Sequence, residues 1–319
     1  MRAVTFDGKL AYNADYPDPK SAEDECLVRV LLAGICGTDL AIIAGHRSFA
    51  GVLGHEMVGV VMSGPPQWRT KRVVCQIDCI CRRCDQCVGG LASHCRNRRV
   101  MGVDRRDGCF ADLVAVPKEN LHVVPEAVSD DEAVFVEPLA AAYQVLAQCP
   151  IDARATVSVV GAGRLGLLVA QVLATKGCKL TVIGRNRHKL LLCEKKGIQG
   201  IHVDELAPRQ DRALVVECTG SPQGLDVAMR LVRPKGTIVL KSICGATGEV
   251  SLAPVVLNEV NLLGSRSGPF PEAINALARK EIDVRSMISR TYPIEQAADA
   301  VEATRNPDNV KVLLKVNAR

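Results

Sequence analysis

The spacing of apolar positions changes character along the chain. From Met1 to about Ser129 the hydrophobic residues come in short runs, Ala3 to Phe6, Leu27 to Leu32, Val58 to Met62, Arg72 to Val74 and Leu113 to Val116, separated by Gly, Pro and Asp. Their β-branched content and turn punctuation predict a mostly β, barrel-like domain whose loops carry function. Beyond about Ile151 the pattern alternates. Strands are predicted at Thr156 to Val160, Lys179 to Ile183, Leu214 to Glu217 and Thr237 to Lys241, with helices at Leu167 to Lys176 and Pro222 to Leu231. This βαβ rhythm specifies an α/β domain, a doubly wound parallel sheet with helices on both faces. Helical patterns at Pro271 to Lys280 and Ile294 to Ala303 and a final strand, Lys311 to Val316, follow.

A length of 319 residues exceeds what one hydrophobic core sustains, which agrees with two domains. The net charge of +5 is scattered rather than gathered into basic runs, and aromatics are only 3% of residues, so a nucleic-acid groove has little support. No apolar run approaches the roughly 20 residues of a membrane span. Fourteen cysteines suggest disulfides only in a small secreted protein; this chain is large and its first residues read directly as a strand. A reducing cytoplasm, with thiols used as metal ligands or core fillers, is the better account.

The run Gly34-Ile35-Cys36-Gly37-Thr38-Asp39, followed by Gly54-His55-Glu56, brings a thiol, an imidazole and a carboxylate onto adjoining turns. These ligand types hold zinc with a position left open for substrate. The sequence Cys81-Arg-Arg-Cys84-Asp-Gln-Cys87, then Cys95, is the strongest local signal. Four thiolates at that spacing can close a tetrahedral shell around a second, structural zinc; chance clustering and an iron–sulfur cluster are the rival readings. Cys75 and Cys79 do not fit the repeated spacing and read as ordinary thiols. Ser129-Asp-Asp-Glu132 is a capping box that starts a helix. Glu137 precedes Pro138 and reads most simply as a charge complementing a helix N-terminus.

Gly161-Ala-Gly163-Arg-Leu-Gly166 stands between a strand and a helix. There the first glycine permits the tight turn, the second lets backbone approach a pyrophosphate and the third lets helix pack on strand, so Gly161, Gly163 and Gly166 are predicted to bind a dinucleotide. The next strand runs into Gly184-Arg185-Asn186-Arg187 where NAD-selective sites place a carboxylate. Arg185 and Arg187 could instead receive a 2′-phosphate, which favours NADP over NAD.

In this order, the Cys36 run, the Gly54-His55-Glu56 run and the four-cysteine lobe resemble the zinc-dependent medium-chain dehydrogenase/reductase family, over essentially the whole chain. The resemblance implies a GroES-like catalytic domain at 1–130, completed by 269–319, and a Rossmann domain at 131–268. It implies that Cys36 and His55 bind catalytic zinc, that Glu56 is a ligand or its close neighbour, that Thr38 bonds the substrate oxygen and passes its proton outward, and that Asp39 orients His55. The Val136-Glu137-Pro138-Leu139 stretch is similar to one that supplies a carboxylate to zinc in the polyol, glucose and threonine branches. Thr219, in a loop like those that approach the nicotinamide, is carried over as a cofactor contact. Where many alcohol dehydrogenases have a relay His five residues past the Cys ligand, Ala41 stands here, and His46 in the adjoining short loop is the nearest substitute. The implied activity is hydride transfer between a secondary alcohol or polyol, or its ketone, and NAD(P), with two zinc ions per chain and a homo-oligomer, dimer or tetramer. The alternative is a non-catalytic NADPH-binding or redox-sensing module that keeps only the structural zinc.

Overall fold

The computed structural model describes residues 1–207, 209–243 and 249–318. The chain forms two compact units: Met1–Glu137 with Ala273–Arg279 and Ile288–Arg319, and Pro138–Glu272 with Lys280–Met287. The first unit is thus built from both ends of the sequence.

In the first unit the long strand Glu25–Gly34 is central: Glu56–Ser63, Leu113–Pro117 and Lys311–Lys315 all pair with it antiparallel. Inward positions such as Val28, Val30, Val61, Val114, Val312 and Leu314 form one buried cluster. β-Branched side chains dominate this list because they pack well on a pleated surface. The site-bearing segments are appended to this frame. Gly34 leads through Ile35 and Cys36 into the short helix Gly37–Ile43, while His55 immediately precedes the strand Glu56–Ser63. Gly34 and Glu56 are register partners, so the ends of the two strands bring Cys36 and His55 together.

The capping box at Ser129 forms as the sequence predicts, with the Ser129 hydroxyl accepting from the Glu132 N–H and Glu132 reaching back to the Ser129 N–H at 2.8 Å. The helix it starts is only Asp130–Ala133; a separate helix, Val136–Gln148, carries Glu137 in its first turn. Pro138 is tolerated there because the first-turn N–H groups have no intrahelical partner to lose.

The second unit holds a six-stranded parallel sheet in the spatial order Gln199–His202, Lys179–Gly184, Thr156–Val160, Arg212–Glu217, Val232–Leu240, Asn261–Gly264. Numbered along the chain within this sheet, the order is 3-2-1-4-5-6, and it reverses beside Thr156–Val160, where open α/β sheets bind their ligands. The helix after the glycine turn runs Arg164–Ala174, beginning three residues earlier than the apolar periodicity indicates, because Gly163 itself is its extended N-cap.

Arg2 closes the first unit. Its guanidinium donates to Asp112 at 2.7 Å, Glu295 at 2.5 Å, the Val316 carbonyl at 2.7 Å and Asn317 at 3.1 Å, joining the N-terminal strand to the C-terminal return. Arg2→Met removes the donors and leaves these acceptors partly buried; we expect a loss of about 1–3 kcal/mol. Urea unfolding of the two proteins side by side measures it, and coincident curves would contradict the role.

Candidate functional site

Cys36, His55 and Glu56 each offer a ligand atom, and these atoms lie within 4.8 Å of one another. Asp39, completely buried one helical turn on, organises the group. One of its oxygens accepts from the Cys36 N–H at 2.8 Å; the other lies 3.2 Å from His55 Nδ1. With Nδ1 turned to the carboxylate, Nε2 is the nitrogen available to a metal. Burial alone pushes the His55 imidazole towards its neutral form, but the negative partners Asp39 and Cys36 outweigh it and hold its pKa well above the ordinary value. A cation beside His55 would satisfy the same negative groups, so the donor set suits a metal.

Glu56 has a partner that no local motif reveals. The Lys311 ammonium, buried on the strand Lys311–Lys315, is ion-paired with Glu56 Oε2, donates to the Ile35 carbonyl at 3.3 Å and lies 5.7 Å from the Phe135 ring centroid. Gly34 leaves the room for it, since a Cβ there would stand 2.9 Å from Lys311 Nζ and closer still to Glu56. Glu137 does not belong to the group of Cys36, His55 and Glu56. Thr38 sits half-buried in the first turn of the helix that Cys36 caps, while His46 is exposed beyond that helix.

Cys81, Cys84, Cys87 and Cys95 form a separate group, with Sγ separations of 3.5 Å for Cys84–Cys87, 3.8 Å for Cys84–Cys95 and 3.5 Å for Cys81–Cys95. A tetrahedron of thiolates about 2.3 Å from zinc has an edge of about 3.8 Å, so the four sulfurs already stand near the required spacing. Cys75 and Cys79 are buried thiols outside the group.

In the second unit Gly161 has φ 110°, and a Cβ there would meet the Cys218 carbonyl and the Thr219 methyl at 3.0 Å. The glycine turn and the Cys218–Ser221 loop are therefore packed against each other at the switch point. Gly184 ends the second strand where a side chain would be crowded: an added Cβ would lie 2.8 Å from the Ala162 Cβ. An acidic residue is absent from this position, and space for one is absent too. Arg187 donates to Glu205 at 2.6 Å and the Arg185 carbonyl bonds the His202 ring at 2.9 Å. Sequence reasoning missed Lys311 and the buried Glu217. A lysine within an apolar strand and an acid at a strand end were their only signals.

Residues 22–126 match the alcohol dehydrogenase GroES-like domain and residues 165–282 the zinc-binding dehydrogenase domain. The starvation-sensing protein RspB of Escherichia coli K12 is 31% identical, over 89% of this chain and 89% of its own length. A sorbitol dehydrogenase of Halalkalibacterium halodurans is 27% identical, over 93% of each. A solved structure from Sinorhizobium meliloti 1021, described as a zinc-binding dehydrogenase bound to NADP, gives a TM-score of 0.91 at 27% identity and covers 99% of both chains. An alcohol dehydrogenase, rspB of Escherichia coli CFT073, complexed with NADH, gives 0.90 at 28% identity over 99% of both.

In metal-free protein the lobe thiols should differ in reactivity. Hydrogen bonds from the Arg83 backbone, Asn97 and Cys84 lower Cys81 to about 6, whereas desolvation and its sulfur neighbours push Cys87 up to about 12. The thiolate is the nucleophile, so alkylation at Cys81 should be near its full rate at pH 7 and fall as pH drops through 6, while Cys87 stays slow. Mass spectrometry after timed iodoacetamide treatment reads this; equal labelling of the two at pH 7 would contradict it.

Proposed function

This chain belongs to the zinc-dependent medium-chain dehydrogenase/reductase family, and on that footing we propose that it is an NAD(P)-linked dehydrogenase of a secondary alcohol or polyol, or a reductase of the corresponding ketone. The observation that carries the reading is the buried convergence of Cys36, His55 and Glu56, separate from the four thiols of the lobe. A binding module has no use for a second, incompletely filled ligand group.

In this reading Cys36 and His55 Nε2 hold a catalytic zinc with Glu56 or Glu137 as the carboxylate, and Cys81, Cys84, Cys87 and Cys95 hold a structural one. When bound, the catalytic zinc lowers the proton affinity of a substrate oxygen, and the nicotinamide takes or returns the hydride. The chain's own residues supply position. Asp39 fixes the His55 ring and the Cys36 backbone with one carboxylate, so neither ligand has to be ordered when the ion arrives. Lys311 holds Glu56 by one oxygen, which limits how freely that carboxylate can turn to the metal. The Thr38 hydroxyl bonds the substrate oxygen and takes its proton as it gives up its own outward, so the hydroxyl stays neutral. The glycine turn Gly161 to Gly166 receives the pyrophosphate at a helix N-terminus; Thr219 faces the nicotinamide side.

For the cofactor we propose NADP over NAD, with Arg185 and Arg187 on the 2′-phosphate. The crowding at Gly184 and the absence of an acid there support it. A homo-oligomer, dimer or tetramer, and a cytoplasmic setting belong to the same proposal. Thirteen described cysteines, all free, fit a reducing compartment. Among the described residues no helix is long and apolar enough to cross a membrane.

Two measurements test the reading. Elemental analysis should find two zinc ions per chain in the wild type and one in Cys36→Ser; one in each would favour the binding module that keeps only the lobe. Arg185→Asp should weaken NADPH binding about tenfold or more, because a charged hydrogen bond is replaced by repulsion, with little effect on NADH. An unaltered NADPH-to-NADH ratio would sink the assignment of Arg185.

A further inference from the structure

Glu217 ends the fourth strand of the parallel sheet, register-paired with Val160, the residue just before the glycine turn. It is almost wholly buried, yet its hydrogen bonds run to the loops beyond the strand ends rather than to a buried cation. One oxygen accepts from the Thr219 N–H and the Thr219 hydroxyl, both at 2.5 Å. The other accepts from the Ser242 hydroxyl at 2.7 Å, and that hydroxyl in turn accepts from the Gly220 N–H at 2.7 Å. The carboxylate therefore locks the Cys218–Ser221 loop and Ser242, two residues past the end of the next strand, into one unit. The space is reserved for it: a Cβ at Gly224 would come within 2.7 Å of Glu217 Oε1.

The place of this unit in the sheet gives it a ligand. In a 3-2-1-4-5-6 sheet the pyrophosphate lies at the turn after the first strand and the adenosine ribose is read at the end of the second. The rest of the dinucleotide must then lie on the opposite side of the glycine turn, over the ends of the fourth and fifth strands. Those ends carry Glu217, Thr219, Gly220 and Ser242. We propose that Glu217 is a positioning residue for the nicotinamide half of the cofactor, acting through the Thr219–Gly220 turn and Ser242 without touching the cofactor itself. The proposal rests on the dinucleotide-binding reading above. It differs from a purely structural role in one respect: its effect must be confined to one half of the ligand.

The test is a binding ratio on the zinc-loaded protein. Fluorescence and calorimetric titrations would compare the reduced dinucleotide that the wild type binds more tightly with its adenine-side fragment, 2′,5′-ADP for NADPH or ADP for NADH. Glu217→Ala should weaken the dinucleotide about tenfold and leave the fragment within about twofold, the loss expected when a loop's preorganising hydrogen bonds are removed. Glu217→Gln, which keeps an acceptor for Thr219, should recover part of the affinity. Ser242→Ala, a milder change, keeps the test decisive if Glu217→Ala does not fold; it should weaken the dinucleotide several-fold with the fragment again unaffected. Equal losses for dinucleotide and fragment, or no loss for either in any variant, would overturn the positioning role while leaving the dinucleotide reading intact. A wild type that binds neither dinucleotide would overturn both.

Discussion

The Asp39 carboxylate is the contact on which the candidate metal site depends. It is completely buried, and it is shared between the Cys36 backbone N–H and the His55 ring. A buried carboxylate is costly unless its oxygens are satisfied. Here one oxygen accepts from the Cys36 N–H and the other stands 3.2 Å from His55 Nδ1, and these two neighbours come from different segments: Cys36 caps the helix Gly37–Ile43, and His55 precedes the strand Glu56–Ser63. The strand pairing of Gly34 with Glu56 brings the segments close, and Asp39 then fixes them relative to each other. Removing the carboxylate would leave the thiol and the imidazole near one another with nothing to fix the ring.

The Glu56–Lys311 pair adds a second constraint on the same few residues. A buried ion pair contributes little net stability against an apolar replacement, but deleting one partner typically costs about 3–5 kcal/mol. The pair therefore constrains the strand Lys311–Lys315 to remain beside Glu25–Gly34, where Leu313, Leu314 and Lys315 pair with Gly34, Ala33 and Leu32. The C-terminal return thus does more than complete a β domain. It delivers the counter-charge of a residue in the candidate metal group.

These two features mark where the sequence was legible and where it was not. Arrangements that follow from local spacing were readable: the glycine turn after Thr156–Val160, the grouping of the four thiols from Cys81 to Cys95 and the Ser129 capping box depend on neighbours a few residues away. Four of the six strands of the parallel sheet were likewise readable, because burial on both faces leaves near-continuous apolar runs, whereas the two edge strands, Gln199–His202 and Asn261–Gly264, were not predicted. The Lys311–Glu56 contact spans 255 residues of sequence, and nothing in a strand pattern tells which way a lysine turns. Glu137 stands in the first turn of the helix Val136–Gln148, and the ligand role proposed for it comes from the resemblance of its stretch rather than from any local spacing.

Asp39 and Glu217 solve one physical problem in two separate units. Each is a buried acid next to a turn, and each ties that turn to a second segment: Asp39 joins Cys36 to His55, Glu217 joins Thr219 to Ser242. An ionised carboxylate suits this work better than an amide, since it only accepts and takes two or three donors without a donor of its own left to satisfy. Hydrogen bonds to it are also stronger in a low-dielectric interior than in water. Order set in the folded protein need not be imposed when the ligand arrives, so the binding energy of metal or cofactor is not spent on arranging the loops that receive it. The residues that would touch ligand can then stay small and ordinary, a threonine, a glycine, a serine, because the acids behind them hold the geometry.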